Sequence, residues 1–242
     1  MPYGFDFDFL FGMRQNYPAA FLNSLIFINI NWHILVCCDI FVHRPTNHIM
    51  YEVITSALRK LVDFTDEELF LFMQRLRPLH LKKYELYLKE GQVCKMMVLV
   101  HKGGLRYYSR TVKGEHTIGF AFEGEWLGDY ESFLLQTPSD CLIEALEDCE
   151  LFTLSYPDMQ ALYQHSQRFE RFGRIMAEQL FLATARSKSD FMLRNARERY
   201  MTLLNTRPQI FERLPQHLIA SYLGILPQSL SRIRAEVAKK LT

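Results

Sequence analysis

Between Tyr84 and Leu154 short apolar runs alternate with glycines, and this texture restricts the fold more than any other feature of the chain. Met96-Met97-Val98-Leu99-Val100 leads into Gly103-Gly104, Leu105 to Tyr108 into Gly114, and Ile118 to Phe122 into Gly124. Leu151-Phe152-Thr153-Leu154 closes the series. Short strands at regular spacing with glycine turns indicate a β-sandwich or barrel. Helical spacing flanks this region. From Tyr51 to Pro78 the pattern is helical, with Thr65 and Glu68 forming a capping box and Leu69, Phe72, Met73 and Leu76 one apolar face. After Pro157, the residues Phe169, Phe172, Ile175, Met176, Leu182 and Ala183 recur at three- and four-residue steps to about Phe191. So long a helix either packs on its own β-domain or pairs with a copy of itself, and Phe172, Ile175, Met176 and Leu182 are the expected seam. The expected class is α+β, with an extension over 1–49, a β-domain over 50–155, a connecting helix over 156–191 and a C-terminal domain over 192–242.

Residues 1–49 read differently from the rest. The run from Ala19 to Val42 has the length of a membrane span, but Asn23, Asn29, Asn31, His33 and Asp39 interrupt it. Asp6 and Asp8 against a lone Arg14, with no small-residue cleavage site, argue against a signal peptide. Translation starting at Met50 and a membrane-associated segment both remain open.

The formal charge of the whole chain is only +1, yet its distribution is uneven. From Met192 to Thr242 nine lysines and arginines face three glutamates, a local charge of +6, whereas acids outnumber bases from Met50 to Glu150. A basic end on a neutral chain is an electrostatic footprint for nucleic acid, or simply a solvated charged surface. The five cysteines, Cys37, Cys38, Cys94, Cys141 and Cys149, are odd in number and lack metal-ligand spacing. They are expected to be packing residues in a reducing cytoplasm, with no disulfide framework, metal or other cofactor.

The segment from Gln216 to Arg234, QHLIASYLGILPQSLSRIR, carries the most specific motif. Two short helices crossing steeply need a small residue at their contact and a glycine at the turn, and Ala220 and Gly224 supply them. Ile219, Leu223, Ile225, Leu230 and Ile233 are the expected inward positions. Pro227 suits a helix's first turn, where a missing N–H costs nothing. The helix expected over 227–238 then presents Gln228, Ser229, Ser231 and Arg232 outward, residue types that read base edges in the major groove. Arg234, Lys239 and Lys240 are candidate contacts to the DNA backbone. A generic helical hairpin is the competing reading.

With these residues in view, the chain from about Met50 to Thr242 resembles the Crp/Fnr family of bacterial regulators. Met97 to Leu105 resembles that family's strand-turn-strand, Gly124-Glu125-Trp126-Leu127-Gly128-Asp129 the entry to its phosphate-binding cassette, and Gln216 to Arg234 its DNA reader. The resemblance implies a β-roll effector domain, a long dimerising helix and a helix-turn-helix. It further implies a homodimeric transcription regulator on double-stranded promoter DNA, with RNA polymerase as a partner and an unidentified small-molecule effector. It places the effector pocket at Gly124, Gly128, Asp129, Ser139 and Asp140. Nucleotide-binding members carry an Arg-Ser pair where Ser139 and Asp140 stand here. A buried phosphate without a cation and facing a carboxylate is strongly disfavoured, so cyclic AMP is not the expected effector. The cysteine cluster of the iron–sulfur branch is missing too.

A sensor or interaction module that does not bind DNA is the alternative, and an enzyme is not expected. His80, His101, His116, His165 and His217 are scattered, and no nucleophile stands beside a base in a recognisable motif.

Overall fold

The computed structural model describes residues 54–56, 58–112 and 114–241. The readings of residues 1–49, Cys37 and Cys38 lie outside them. Helix α1, Asp66–Arg75, starts at the expected capping box: the Glu68 N–H donates to Thr65 Oγ1 at 3.3 Å, and the Thr65 N–H to Glu68 Oε2 at 3.0 Å. The helix stops at Arg75, short of the Pro78 expected from its periodicity. Pro78 instead belongs to strand β1, Arg77–Leu81, at a sheet edge where its missing N–H is tolerated.

Seven further strands follow: β2 (Leu86–Leu88), β3 (Met96–Lys102), β4 (Leu105–Thr111), β5 (Gly114–Ala121), β6 (Trp126–Leu127), β7 (Cys141–Ala145) and β8 (Cys149–Ser155). They form two antiparallel four-stranded sheets in the orders β1-β8-β3-β6 and β2-β7-β4-β5. Leu99, Val100, Leu105, Tyr108, Leu142, Ile143 and Leu151 are buried in the roll. A short helix α2, Tyr130–Leu135, lies between β6 and β7.

The connecting segment is two helices rather than one. Helix α3, Tyr156–His165, begins at Ser155, whose hydroxyl accepts from the Asp158 N–H. The chain is extended at Ser166, and α4, Gln167–Leu193, then runs 27 residues, about 40 Å. Ser166 Oγ donates to Glu68 Oε1 at 2.6 Å, which ties the break to α1. Phe172, expected on a seam for a second copy, is core instead. Its ring lies 6.1 Å from Phe64 and 6.0 Å from Phe72, and Phe169 joins the same cluster. The seam expectation fails there because the apolar face of the first turns of α4 is already covered by α1 and the residues before it. Ile175 and Met176 are half-buried, while Leu182 is exposed beside Leu180 and Phe181.

The C-terminal unit holds α5 (Ala196–Thr206), α6 (Gln209–Arg213), α7 (Gln216–Tyr222) and α8 (Pro227–Leu241). Ile210, Ile219, Ala220, Leu223, Leu230 and Val237 form its core, with Ile225 and Ile233 half-buried beside them. Gly224 turns the chain between α7 and α8 at φ +65, and a Cβ there would stand 2.9 Å from the Phe191 ring. Phe120 and Phe122 of the β-roll belong to the same core cluster. The C-terminal unit is therefore packed against its own β-roll. Among the described residues, no helix is long and apolar enough to cross a membrane.

Candidate functional site

A cavity of about 650 Å³ opens between the β-roll, α3 and α4. Tyr107, Trp126 and Leu127 reach it from the strands, Tyr163 from α3, and Phe169, Met176 and Thr184 from α4. Its wall is completed by Tyr222 at the end of α7. Gly173 permits the close approach of α3 to α4, since a Cβ there would run into the Tyr163 hydroxyl. Burial pushes the Tyr107, Tyr163 and Tyr222 phenols up, Tyr163 to about 12, so all three stay neutral and act as hydrogen-bonding groups on an apolar wall.

Of the five pocket residues expected from the sequence, Gly128 alone lines this cavity. Gly124 lies in the turn before β6, where its N–H donates to the Val100 carbonyl at 2.8 Å. Asp129 is buried and caps α2 by accepting from the Ser132 N–H at 3.2 Å. Its other oxygen accepts from Ser139 Oγ at 2.5 Å, and the same Ser139 oxygen accepts from the Cys141 N–H at 3.0 Å. Asp140 is exposed. The segment is thus closed on itself: a serine and a carboxylate satisfy each other, and no cation stands between them.

These two sheets, the helix between β6 and β7, and the helices behind them match a known pattern. A family model described as the cyclic nucleotide-binding domain matches residues 78–166. That segment is a cyclic nucleotide-binding domain. Over 68% to 74% of its length the chain shares its fold with Crp/Fnr regulators. It is similar to the c-di-GMP responsive global regulator CLP of Xanthomonas campestris, at 17% identity over 73% of this chain and 93% of that one, with a TM-score of 0.56. It is also similar to FixK2 of Bradyrhizobium japonicum, at 17% identity over 68% of this chain and 85% of that one, TM-score 0.57. A Crp/Fnr-family regulator from Eubacterium rectale gives 19% identity over 74% and 85%, again with a TM-score of 0.57. No curated protein matches the chain by sequence. Within the matched segment, the closed pair of Asp129 and Ser139 brackets α2, after β6.

The second candidate surface is the outward face of α8. Leu230 and Val237 point into the core, Gln228 and Arg232 are exposed on the far side, and Ser231 and Arg234 are exposed at its margins. Ser229 is half-buried, and Ser231 Oγ donates back to the Pro227 carbonyl at 3.2 Å. Lys239 is exposed, and the side chain of Lys240 lies outside the described part of the helix.

Part of the C-terminal positive charge is spent inside the molecule. Arg213 clamps Glu123 in bidentate fashion, at 2.6 and 3.0 Å, and also pairs with Glu147. Arg207 Nη2 donates to Glu125 at 2.6 Å, and its Nη1 to the Phe120 carbonyl at 3.3 Å. The Thr117 N–H donates to Ser221 Oγ, which in turn donates to the Glu115 carbonyl. The cyclic nucleotide-binding domain therefore grips the C-terminal unit along β5 and the turn after it. This grip has no local sequence signal, because its partners are 66 to 106 residues apart.

The clamp makes an acid-sensitive contact. Hydrogen bonds from Arg213 hold the Glu123 carboxyl at about 2, below its ordinary 4.5. A carboxyl whose pKa is lowered on folding contributes its stabilisation above the unfolded value and loses it as pH falls through the folded one. In hydrogen exchange, protection of α6 and α7 should exceed that of an Arg213→Gln variant at neutral pH, and the excess should vanish between about pH 4.5 and 2. An excess that persists unchanged to pH 2 would show that the clamp does not hold the unit.

Proposed function

We propose that this protein is a homodimeric DNA-binding transcription regulator, with α8 entering the major groove of promoter DNA. The observation that carries the reading is the two-sidedness of α8. Leu230 and Val237 fix it in a core, and Gln228, Arg232 and Arg234 are left outward, where glutamine can pair with adenine and arginine with guanine or phosphate. The likeness in fold to Crp/Fnr regulators supports it. RNA polymerase is the further partner that this reading implies at a promoter.

A second copy supplies the other half-site. Phe181, Leu182, Met192 and Leu193 are exposed along α4 and the end of that helix, large apolar side chains that pairing of two helices would cover. Two recognition helices would then sit about one DNA turn apart. Gel-shift titration at several salt concentrations tests the reading, because phosphate contacts make affinity fall steeply with salt. Retention of DNA by a species that sediments as a dimer is expected. Absence of any salt-dependent retention would favour a sensor that acts on proteins instead.

The closed cassette sets the ligand expectation. Asp129 and Ser139 satisfy each other and no arginine stands beside them, so cyclic AMP and cyclic GMP should bind no more tightly than about millimolar. A micromolar constant for either by calorimetry would overturn this reading of the cassette.

A further inference from the structure

We propose that the cavity between the β-roll and α4 takes a monoanionic amphiphile, a small molecule with an apolar body and one carboxylate. The proposal rests on the regulator reading only in treating this molecule as the effector. The volume, about 650 Å³, falls in the range of small-molecule sites. Its inner wall is aromatic, built from Phe72, Tyr107, Trp126, Tyr163 and Phe169. Such a wall offers dispersion and burial to a hydrocarbon body, and its neutral phenol and indole donors supply no positive charge to repay the dehydration of a phosphate.

The polar groups gather elsewhere on the lining. His116 and Thr117 come from β5, and Thr184, Ser187 and Lys188 from successive turns of α4. Among the described residues that line the cavity there is no carboxylate, and Lys188 is the one lysine or arginine. An acid head at Lys188 meets a cation and hydroxyl donors, whereas a positively charged head meets no carboxylate among the residues that line the cavity. One cation suits one negative charge and is poorly matched to a nucleotide. The occupant would also touch the C-terminal unit directly, because Tyr222 lines the cavity and its ring lies 5.5 Å from Phe120.

Gly119 allows a test from inside. It lines the cavity, its backbone lies outside the left-handed region, and a Cβ built on it meets nothing within 4 Å. A side chain can therefore start from this position without meeting a neighbour at Cβ, and phenylalanine is the bulk introduced there to occupy cavity space. The experiment titrates dodecanoate and dodecanol into the full chain by calorimetry, alongside Gly119→Phe and Lys188→Ala. Dodecanoate should bind the unaltered protein with micromolar affinity. Gly119→Phe should weaken both probes by more than about tenfold. Lys188→Ala should weaken dodecanoate by about two- to fivefold and leave dodecanol unchanged. No binding, or equal binding by all three proteins, would overturn the proposal. So would binding that disappears as the protein self-associates, since the groove would then belong to a second copy. Gel shifts on the same preparations separate the two readings. DNA retention without dodecanoate binding removes the cavity proposal alone, and dodecanoate binding without DNA retention removes the regulator reading alone.

Discussion

Truncating Phe72 to alanine should lower the free energy of unfolding by about 3–5 kcal/mol, read as a shift in the midpoint of urea denaturation. Phe72 is 1% exposed and touches three aromatic neighbours. Its ring stacks at 6.3 Å on Phe169 and meets Trp126 and Phe172 edge-on, at 6.4 and 6.0 Å. Removing it leaves a hole among side chains from α1, β6 and α4 that cannot move independently, so the site collapses poorly and the full cavity term applies. The same cluster seats the first turns of α4, so the variant should also loosen hydrogen-exchange protection there before the strands are affected. A loss below about 1 kcal/mol would show that the aromatic cluster is not what fastens α4 to the β-roll.

Arg232→Ala should weaken the preferred DNA site by about 1–3 kcal/mol while barely changing affinity for random sequence. Arg232 is exposed one turn beyond Gln228, on the face of α8 opposite Leu230. From that position its guanidinium can reach a guanine edge, and losing it removes discrimination rather than general attraction. Lys239→Ala or Lys240→Ala should act differently if either touches phosphate. All sequences should then weaken alike, and the slope of log affinity against log salt should fall by about one. The Ser231 hydroxyl is bonded to a helix carbonyl, so specificity should rest on few side chains. Selection of sites from random DNA, followed by titration of each variant, checks this. Equal losses for Arg232→Ala and Lys239→Ala on specific and random DNA would remove α8 as the reader.

The features that could be read from the chain are those set by neighbours within about a turn. Thr65 and Glu68 mark the start of α1 because both partners of the capping box are three residues apart. Ile219, Ala220 and Leu223 are buried at the spacing that shows one inward face of α7, Leu230 meets them from α8, and Gly224 has the positive φ that the turn needs. The glycine-bounded runs gave four strands; β1, β2, β6 and β7 are short, or carry polar residues and prolines that break the alternation. The extra break at Ser166 also escaped, since the periodicity of Phe169 and Phe172 is the same whether or not a helix precedes it.

What the sequence determined by itself is therefore the set of local decisions: a domain of short glycine-bounded strands flanked by helices, and an amphipathic α8 with a polar outer face. Only the tertiary structure decided what each side chain meets. Phe172 could serve a second copy or its own core, and Phe64 and Phe72 settle it by arriving from about 100 residues away. Arg207 and Arg213 count toward a basic footprint until Glu123, Glu125 and Glu147 neutralise them across 66 to 90 residues. Asp129 and Ser139 are merely two polar residues in the sequence, and become a closed pair because α2 brings them within 2.5 Å. Periodicity fixes which way a side chain points along its own element. Which distant group satisfies its charge or covers its apolar surface depends on chain packing, which no local window contains.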